Sequence, residues 1–358
     1  MTHAEIVDWL RETDQARLAD LWRRADSVRR QAVGEEVHLR GLIELSNYCL
    51  RGCAYCGLRA LNAHVERYRM TEAEVMASAE EAVSLGFGTV VLQSGEDPGM
   101  RAAWVARLIR RLKAETPLAV TLSLGERDED ELALWRDCGA DRYLLRFETS
   151  NRELYARIHP PRPGQSRDRF ALLATLGRLG YEVGSGVMIG IPGQSYDDLA
   201  RDIALFAEMD LDMIGVGPYL VHPETPLAEG ERFPPLDEAS QAPATEEMAY
   251  KVVALARLAC PRANIPSTTA LATLNAEKGR VLGLARGANV IMPNVTPPRY
   301  RVLYAIYPGK ACPNETAREC GYSLHEQIES MGRVVGAGRG DSRRYHDRKA
   351  MQEEGLTR

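Results

Sequence analysis

Three cysteines lie close together in this chain, in the run Cys49-Leu-Arg-Gly-Cys53-Ala-Tyr-Cys56. A loop this short brings all three sulfurs to one point, and disulfides cannot pair three cysteines evenly. A structural zinc site usually has four protein ligands, yet no fourth cysteine is near and the closest histidine, His64, lies eight residues beyond Cys56. Three thiolates can hold a four-iron cubane and leave one iron free to bind a small molecule. The loop therefore predicts an iron–sulfur centre with one open position, and a degenerate zinc site is the alternative.

Two further pairs of polar residues stand near the ends of predicted strands. Thr121 and Ser123 are two positions apart, as are Arg146 and Glu148, so each pair shares one face of its strand. The hydroxyls could bind a carboxylate or a ribose, or they could be bonded to neighbouring backbone. Arg146 and Glu148 could contact a ligand or form an internal salt bridge, because buried charges need partners.

The turn Ser94-Gly95-Glu96 follows another predicted strand. A small turn followed by an acid allows the backbone to approach a ligand and the carboxylate to accept hydrogen bonds from an ammonium group, although such a tetrapeptide is also an ordinary turn. Arg169 opens a predicted helix nearby, where its guanidinium suits bidentate binding of a carboxylate. A lone arginine at a helix end is more often a solvated charge.

Two pairs later in the chain complete the set of candidates. Thr268 and Thr269 present adjacent hydroxyls that suit an anionic ligand, or that bond to nearby backbone. Tyr304 and Tyr307 are three positions apart, so on a helical turn they would share a face over the cavity. The alternative for the tyrosines is an aromatic lid that only seals the domain.

The elements that must position these residues alternate between strand and helix. Runs such as Thr-Val-Val-Leu are apolar on both faces, as parallel strands covered by helices are. Eight strands with intervening helices predict a closed (β/α)8 barrel, whose active site lies at the carboxyl ends of the strands; an open doubly wound sheet is the alternative. The predicted strands are Glu36–Ser46, Thr89–Gln93, Ala119–Leu124, Tyr143–Glu148, Glu182–Ile189, Met213–Gly217, Asn264–Thr269 and Asn289–Met292.

The chain divides into three predicted parts. Residues 1–34 form an N-terminal helical extension, 35–310 the barrel, and 311–358 a C-terminal helical and polar tail. The end of the tail, from Gly336 to Arg358, is rich in Arg and Gly and is expected to be a mobile surface segment.

Composition restricts the functional classes. The chain has 358 residues and a net charge of −5, which argues against nucleic acid as the main partner, since phosphate binding requires a basic surface. It contains no apolar run long enough to span a membrane. Seven cysteines are too few for a disulfide scaffold in a chain of this length, and clustered thiols indicate a reducing compartment, which we expect to be the cytoplasm.

These motifs resemble the radical S-adenosylmethionine (SAM) superfamily, in the branch that contains the FeFe-hydrogenase maturases of the HydE family, biotin synthase and methylornithine synthase. The resemblance covers roughly residues 35 to 310 and is strongest for the HydE family. The residues that carry it are the cysteine loop with Gly57-Leu-Arg59, Arg67-Tyr-Arg-Met-Thr71, Val91-Leu-Gln-Ser-Gly-Glu-Asp97, Thr121-Leu-Ser-Leu-Gly-Glu126, Ala140-Asp-Arg-Tyr-Leu-Leu-Arg146, Ile265-Pro-Ser-Thr-Thr269 and Gly287-Ala-Asn-Val-Ile-Met-Pro-Asn294.

The resemblance implies a 4Fe–4S cluster on Cys49, Cys53 and Cys56, whose fourth iron binds SAM, and reductive cleavage of SAM to a 5′-deoxyadenosyl radical. The implied substrate is an iron–carbonyl–cyanide species bearing cysteine, on the way to the di-iron subcluster of hydrogenase. The implied SAM-binding residues are Tyr55, Ser94, Gly95, Glu96, Ser123, Glu148, Arg169 and Ile189. The implied substrate-binding residues are Thr121, Arg146, Thr268, Thr269, Tyr304 and Tyr307.

The chain also departs from the family pattern. Cys312 and Cys320 match two of three further cysteines that hold an accessory cluster in some members, but the third position is Ser323, so we expect no stable second cluster. Phe147 stands where relatives often have His. The remaining cysteines, Cys138 and Cys260, are expected to be core thiols.

Three alternatives remain beside the maturase. Biotin synthase needs further barrel cysteines that predicted strands three to five lack. A methylornithine synthase-like mutase would want acids in the cavity for an ammonium group, whereas the candidates are mostly hydroxyls and Arg. A non-catalytic iron–sulfur scaffold would leave Glu96, Glu148 and Arg169 unexplained. The resemblance further implies a ferredoxin or flavodoxin as electron donor, the other hydrogenase maturases as partners, and a monomer.

Overall fold

The strand Glu36–Ser46 lies at the centre of the fold. The computed structural model of the chain describes residues 1–161, 168–230, 232–310 and 317–353. Among the described residues, the strands in chain order are β1 Glu36–Ser46, β2 Thr89–Ser94, β3 Ala119–Ser123, β4 Arg142–Leu144, β5 Glu182–Ser185, β6 Met188–Ile189, β7 Met213–Ile214, β8 Gly217–Pro218, β9 Val290–Ile291 and β10 Val334–Val335. The helices are α1 His3–Arg11, α2 Gln15–Val33, α3 Glu72–Ser84, α4 Ala102–Glu115, α5 Glu129–Asp137, α6 Arg152–Ile158, α7 Arg169–Arg178, α8 Tyr196–Glu208, α9 Glu246–Ala259, α10 Thr269–Leu274, α11 Gly279–Ala285, α12 Pro298–Arg301, α13 Ala317–Ser330 and α14 Arg343–Glu353.

Eight of the ten described strands form a curled, entirely parallel sheet that closes on itself, and β6 and β8 pair with each other. The order is β10-β1-β2-β3-β4-β5-β7, and β9 pairs with β1 in register His38 to Val290. Single parallel bridges close the ring, from Met213 to Asn264 and from Pro266 to Val290. The predicted barrel is confirmed, and the open doubly wound sheet is excluded.

The strand predicted at Asn264–Thr269 is wrong as a regular strand. Only the two bridges mark this stretch, and Thr268 already caps α10. Pro266 has no backbone N–H to donate to a sheet ladder, which explains why the pairing stays at single residues. The other predicted strands are present, with the fifth and sixth each divided in two.

Successive side chains of β1 point alternately into the barrel and toward the surrounding helices. Arg40, Leu42 and Glu44 line the interior cavity. Gly41 faces outward, where a Cβ atom would lie 3.1 Å from Ala82 in α3. This period of two, repeated on the neighbouring strands, brings polar residues into one interior layer at the carboxyl ends of the strands.

The segment after β10 packs against the opposite end of the barrel. Arg142 of β4 donates to the Arg339 carbonyl at 2.8 Å, and the Ser342 amide donates to Glu182 at 2.9 Å. The prediction of a mobile tail from Gly336 is therefore wrong for 336–342. The buried Arg142 and Glu182 pair with each other at 2.6 Å, as buried charges must, and this polar segment satisfies further hydrogen-bonding atoms of both.

At the N-terminus, α1 packs against α8 and α2 against α9, so both helices predicted there are present. Their apolar residues Ile6, Leu10, Leu18 and Leu21 are buried. In the described part of the chain, no helix has the length and apolar character needed to cross a membrane.

Candidate active site

An internal cavity of about 320 Å³ opens beneath the cysteine loop, at the carboxyl ends of the strands. Its lining mixes apolar side chains from the middle of the barrel with polar ones from the upper layer. The polar and thiol-bearing members are Arg40, Glu44, Tyr55, Cys56, Gln93, Thr121, Ser123, Arg146, Glu148, Tyr219, Asn264, Thr268, Thr269, Tyr307 and Lys310. The cavity is therefore able to hold a ligand with both polar and apolar parts.

The cysteine loop is held in place by Arg67. Its guanidinium donates to four backbone carbonyls, those of Asn47 at 2.5 Å, Leu58 at 2.9 Å, Arg59 at 2.9 Å and Asn62 at 3.3 Å. These carbonyls lie on both sides of the three cysteines, so one side chain fixes both ends of the loop.

The Cys53 thiol is buried, and those of Cys49 and Cys56 are half-buried. Burial raises the pKa of Cys49 and, above all, raises the pKa of Cys53, where the neighbouring Cys56 and Cys49 add to the effect. Burial also raises the pKa of Cys56 to about 12. Thiols of this kind must lose protons to bind a metal, so metal binding provides the partner that the buried thiolates need.

A buried network of charges lies beside the loop. Arg51, which sits between Cys49 and Cys53, donates to Glu96 at 2.5 Å and also pairs with Glu126. Arg169 at the start of α7 donates to Glu126 at 2.9 Å, and its NH2 nitrogen lies 3.9 Å from Glu96. The same guanidinium lies 2.7 Å from Nε2 of His159.

This network is balanced in charge. Ligand atoms of Glu96, Glu126 and His159 lie within 4.8 Å of one another, which could suggest a second metal site. Both carboxylates, however, are already paired with guanidinium groups, those of Arg51 and Arg169. Two carboxylates and two guanidiniums next to the thiols instead suit the ammonium and carboxylate groups of a bound amino acid, such as the methionine end of SAM.

Glycine makes the close approach at the strand ends possible. A Cβ atom on Gly95 would lie 2.4 Å from the Tyr48 carbonyl and 2.7 Å from the Cys49 Cβ. Gly125 has φ +75°, and a Cβ there would meet the Glu96 side chain at 2.1 Å. These two positions therefore admit only glycine, and the absence of side chains there allows the Glu96 turn to pack closely against the cysteine loop.

Glu148 occupies a strained backbone conformation at the cavity wall. Its φ is +66°, which is rare for a residue other than glycine, and its Oε2 lacks a hydrogen bond from any described residue. That oxygen lies 3.0 Å from Arg146 without hydrogen-bond geometry. The hydroxyls of Thr121 and Thr268 are also buried, and no described residue forms a hydrogen bond with them. Strain and unsatisfied polar atoms in one cavity mark a ligand-binding site.

The structure places most of the predicted site residues at this cavity. Tyr55, Ser123, Thr269 and Tyr307 join the residues above in its lining. Ile189 does not, since its side chain is in the core and its carbonyl accepts from the Tyr219 amide at 2.8 Å. The Ser94 hydroxyl donates to the Gly95 carbonyl, and Tyr304 lies behind the cavity, where its hydroxyl accepts from Gln93 at 3.3 Å.

Several site residues escaped sequence reasoning. Glu44, Lys310, Arg51, Glu126 and His159 are all part of the cavity or the network. The period-two pattern of β1 could have indicated Glu44, and the position between two cysteines could have indicated Arg51. Nothing in the sequence pairs His159 with Arg169. Cys138 and Cys260 are buried core thiols, as predicted. Cys312 and the side chain of Cys320 lie outside the described residues.

Comparison with known proteins agrees with this site. The family described as the radical SAM superfamily matches residues 43–206. The [FeFe] hydrogenase maturase subunit HydE of Thermotoga maritima is 44% identical over 327 residues, which are 91% of this chain and 90% of that protein. The 3-methylornithine synthase of Methanosarcina acetivorans is 29% identical over 76% of this chain and 74% of its own length.

Solved structures show the same fold. A methylornithine synthase structure superposes with a TM-score of 0.79 and 26% identity, covering 98% of this chain and 96% of that one. The maturase HydG from Carboxydothermus hydrogenoformans superposes with a TM-score of 0.77, covering 94% of this chain and 76% of that one; at 17% identity it supports the fold alone.

The fold, the three-thiol loop and these relatives define a radical SAM enzyme, whose cofactors are a 4Fe–4S cluster and SAM. Within that superfamily, the chain belongs to the family of the [FeFe] hydrogenase maturase subunit HydE.

Proposed function

We propose that this enzyme acts in the assembly of the di-iron subcluster of FeFe-hydrogenase, on a small iron–carbonyl–cyanide species that carries cysteine. The observation that carries the proposal is 44% identity to a HydE maturase over nine-tenths of both chains. An enclosed cavity beneath the cysteine loop supports it, because a reactive radical has to be kept away from solvent.

The proposed roles follow from the geometry of the loop and the network. Cys49, Cys53 and Cys56 hold the cluster, which when bound supplies the electron that cleaves SAM into methionine and a 5′-deoxyadenosyl radical. Glu96 accepts from the ammonium group of SAM, and Arg169 donates to its carboxylate. Gly95 has no side chain, which allows its backbone to lie next to Cys49, where a Cβ atom would clash.

The remaining cavity residues would serve the SAM nucleoside and the substrate. Tyr55, Ser123 and Glu148 face the cavity near the loop and are proposed to contact SAM. Thr121, Arg146, Thr268, Thr269 and Tyr307 offer hydroxyls and a guanidinium to an anionic substrate. Ser94, Ile189 and Tyr304 lie outside the cavity lining and would position the residues that contact the ligand.

The setting of the enzyme follows from its chemistry. Reductive cleavage requires a low-potential donor, for which a ferredoxin or flavodoxin is proposed, and the product would pass to the other maturases. The five cysteines that the structure describes are free thiols, which supports a reducing compartment such as the cytoplasm. Because Ser323 stands at the third of the three accessory cysteine positions, we propose that no accessory cluster forms. We also propose that the enzyme works as a monomer.

A methylornithine synthase-like mutase is the second candidate. A specific observation favours it, because the interior of the barrel contains Glu44, an acid able to bind an ammonium group. The expectation that the cavity offers mostly hydroxyls and Arg to a ligand is therefore incomplete, because Glu44 adds an acid in addition to Glu148. The lower identity to methylornithine synthase, 29% against 44%, places it second.

In vitro maturation separates the two candidates. Apo-hydrogenase is incubated anaerobically with the other maturases, SAM, a reductant and this reconstituted enzyme, and hydrogen evolution is measured. The proposal predicts hydrogenase activity that depends on this enzyme and is lost with Cys56→Ser. Formation of methylornithine from lysine, with no hydrogenase activation, would contradict it and establish the mutase.

A further inference from the structure

Glu44 presents a carboxylate oxygen without a partner to the cavity. The residue lies on β1 and lines the cavity on the same face as Leu42, and its side chain is 1% exposed. One oxygen, Oε1, pairs with the Lys310 ammonium, but Oε2 receives no hydrogen bond from the described residues. An unsatisfied buried carboxylate oxygen is costly, so a ligand that donates to it would remove that cost.

Lys310 shows which kind of donor this site accepts. Its Nζ is a primary ammonium group, and it lies 5.1 Å from the centre of the Tyr304 ring. Lys310 follows the turn after Tyr307 rather than a barrel strand. Its side chain is a flexible four-carbon stem. The ammonium can therefore move away from Glu44 more easily than a group that is fixed on a barrel strand. The lysine thus occupies the position of a ligand ammonium.

Charge of the opposite sign lies at two places in the cavity. Arg40 lies on β1 four residues before Glu44 and donates to the Met213 sulfur. Arg146 lies just beyond β4, three strands away from β1 in the ring. It donates to the Val187 carbonyl and pairs with Glu148, while its Nε has no partner among the described residues. The unpartnered hydroxyl of Thr268 also faces the cavity. A ligand that satisfies all these groups carries an ammonium at the Glu44 side and anionic or acceptor groups toward Arg146.

We propose that Glu44 recognises a primary amino group of the substrate, which displaces the Lys310 ammonium from Oε1 and also donates to Oε2. The inference rests on the proposed function and narrows it, since the substrate must then bear a free amino group, as an amino acid does. For the maturase this group belongs to the cysteine part of the substrate. Lysine would use the same site in the mutase.

The test uses two probes that differ only in the amino group, L-cysteine and 3-mercaptopropanoate. Their dissociation constants are measured by anaerobic calorimetry on the reconstituted holoenzyme with SAM present. The unaltered enzyme should bind L-cysteine about tenfold more tightly, the discrimination expected of a hydrogen bond to a charged group. Glu44→Gln should abolish this preference. Lys310→Met should strengthen L-cysteine binding, because it removes the competing ammonium.

The opposite effects of the two variants distinguish recognition from a structural ion pair. If the pair only held the fold together, both substitutions would weaken L-cysteine binding alike, and that result would overturn the proposal. Equal affinities for the two probes, or no measurable binding of L-cysteine, would overturn it as well. SAM cleavage by the unaltered enzyme, measured separately, tests the proposed function, so the two failures can be told apart.

Discussion

Arg51, inside the cysteine loop, donates from its Nε to the Glu96 carboxylate at the end of β2 across 2.5 Å. The loop proposed to hold the cluster and the turn proposed to hold SAM are therefore joined by a buried ion pair. The Gly95 backbone between them leaves no room for a side chain. Cluster binding and SAM binding are thus expected to depend on each other.

Arg51→Met should weaken SAM binding to the holoenzyme by about tenfold or more, because Glu96 and Glu126 would lose their shared cation. Titration of SAM into reconstituted protein measures this. Arg111→Met is a matched control, since Arg111 also contacts two carboxylates but is 39% exposed; exposed pairs contribute little. Equal SAM affinities of the two variants would contradict the coupling.

Replacement of Cys49, Cys53 or Cys56 by Ser should each abolish the cluster, because two thiolates cannot replace three. Iron and sulfide content and visible absorption after anaerobic reconstitution report the loss. Cys138→Ser and Cys260→Ser are matched controls in buried positions away from the loop, and they should keep full iron content. Zinc bound stoichiometrically by the unaltered chain in iron-loaded preparations would refute the assignment.

His159 should position Arg169 as a neutral acceptor. Burial, together with Arg169 and Arg51 nearby, lowers the pKa of His159 to about 2, so its ring is neutral at working pH. His159→Leu leaves a guanidinium N–H without its acceptor and should raise KM for SAM about tenfold with a smaller change in kcat. His159→Gln, which places an oxygen near the Nε2 position, should recover part of the loss. Equal KM values for both variants would argue against an acceptor role.

Thr268→Val should leave the stability of the protein nearly unchanged, or raise it by up to about 1 kcal/mol, because the hydroxyl it removes is buried without a partner. Ser185→Ala is the matched control: its hydroxyl donates to the Leu145 carbonyl at 2.8 Å, and its loss should cost about 1 kcal/mol. Thermal unfolding under identical loading compares them. A larger loss for Thr268→Val would mean that this hydroxyl serves the fold rather than a ligand.

Asp202 should make stability fall as pH rises. Burial raises the pKa of its carboxyl to about 7, and its Oδ2 has no hydrogen bond from the described residues. The folded state therefore holds a proton that the unfolded chain, with a pKa near 3.9, releases, so stability is fully present below pH 4 and is lost toward pH 7. Asp202→Asn removes this dependence, and its melting-temperature gain over the unaltered chain should be larger at pH 8 than at pH 5.5. Asp130→Asn, at an exposed position, is the control; a gain independent of pH would contradict the assignment.

Residues that are contiguous in the chain could be predicted, and those that meet through folding could not. The cysteine loop and the turn at Glu96 carry their chemistry in a few adjacent positions, so their residue types sufficed. Lys310 is 266 positions from Glu44, and only the closed barrel brings them together. The pairing of Lys310 with Glu44 was missed for this reason.

The C-terminal segment shows the same limit. Its composition is that of a mobile tail, yet the Arg339 carbonyl accepts from Thr89 at 2.7 Å. What orders the segment is not its own sequence but the buried charges of Arg142 and Glu182 at the end of the barrel. The sequence of the segment does not show that charged residues elsewhere in the chain are buried and will form hydrogen bonds with it.

The most direct test of the account is the electron paramagnetic resonance spectrum of the dithionite-reduced, reconstituted enzyme with and without SAM. If Cys49, Cys53 and Cys56 hold a 4Fe–4S cluster with an open iron, SAM should change the g-values of the reduced cluster, and methionine and 5′-deoxyadenosine should accumulate. A cluster signal that is indifferent to SAM, with no 5′-deoxyadenosine formed, would contradict it.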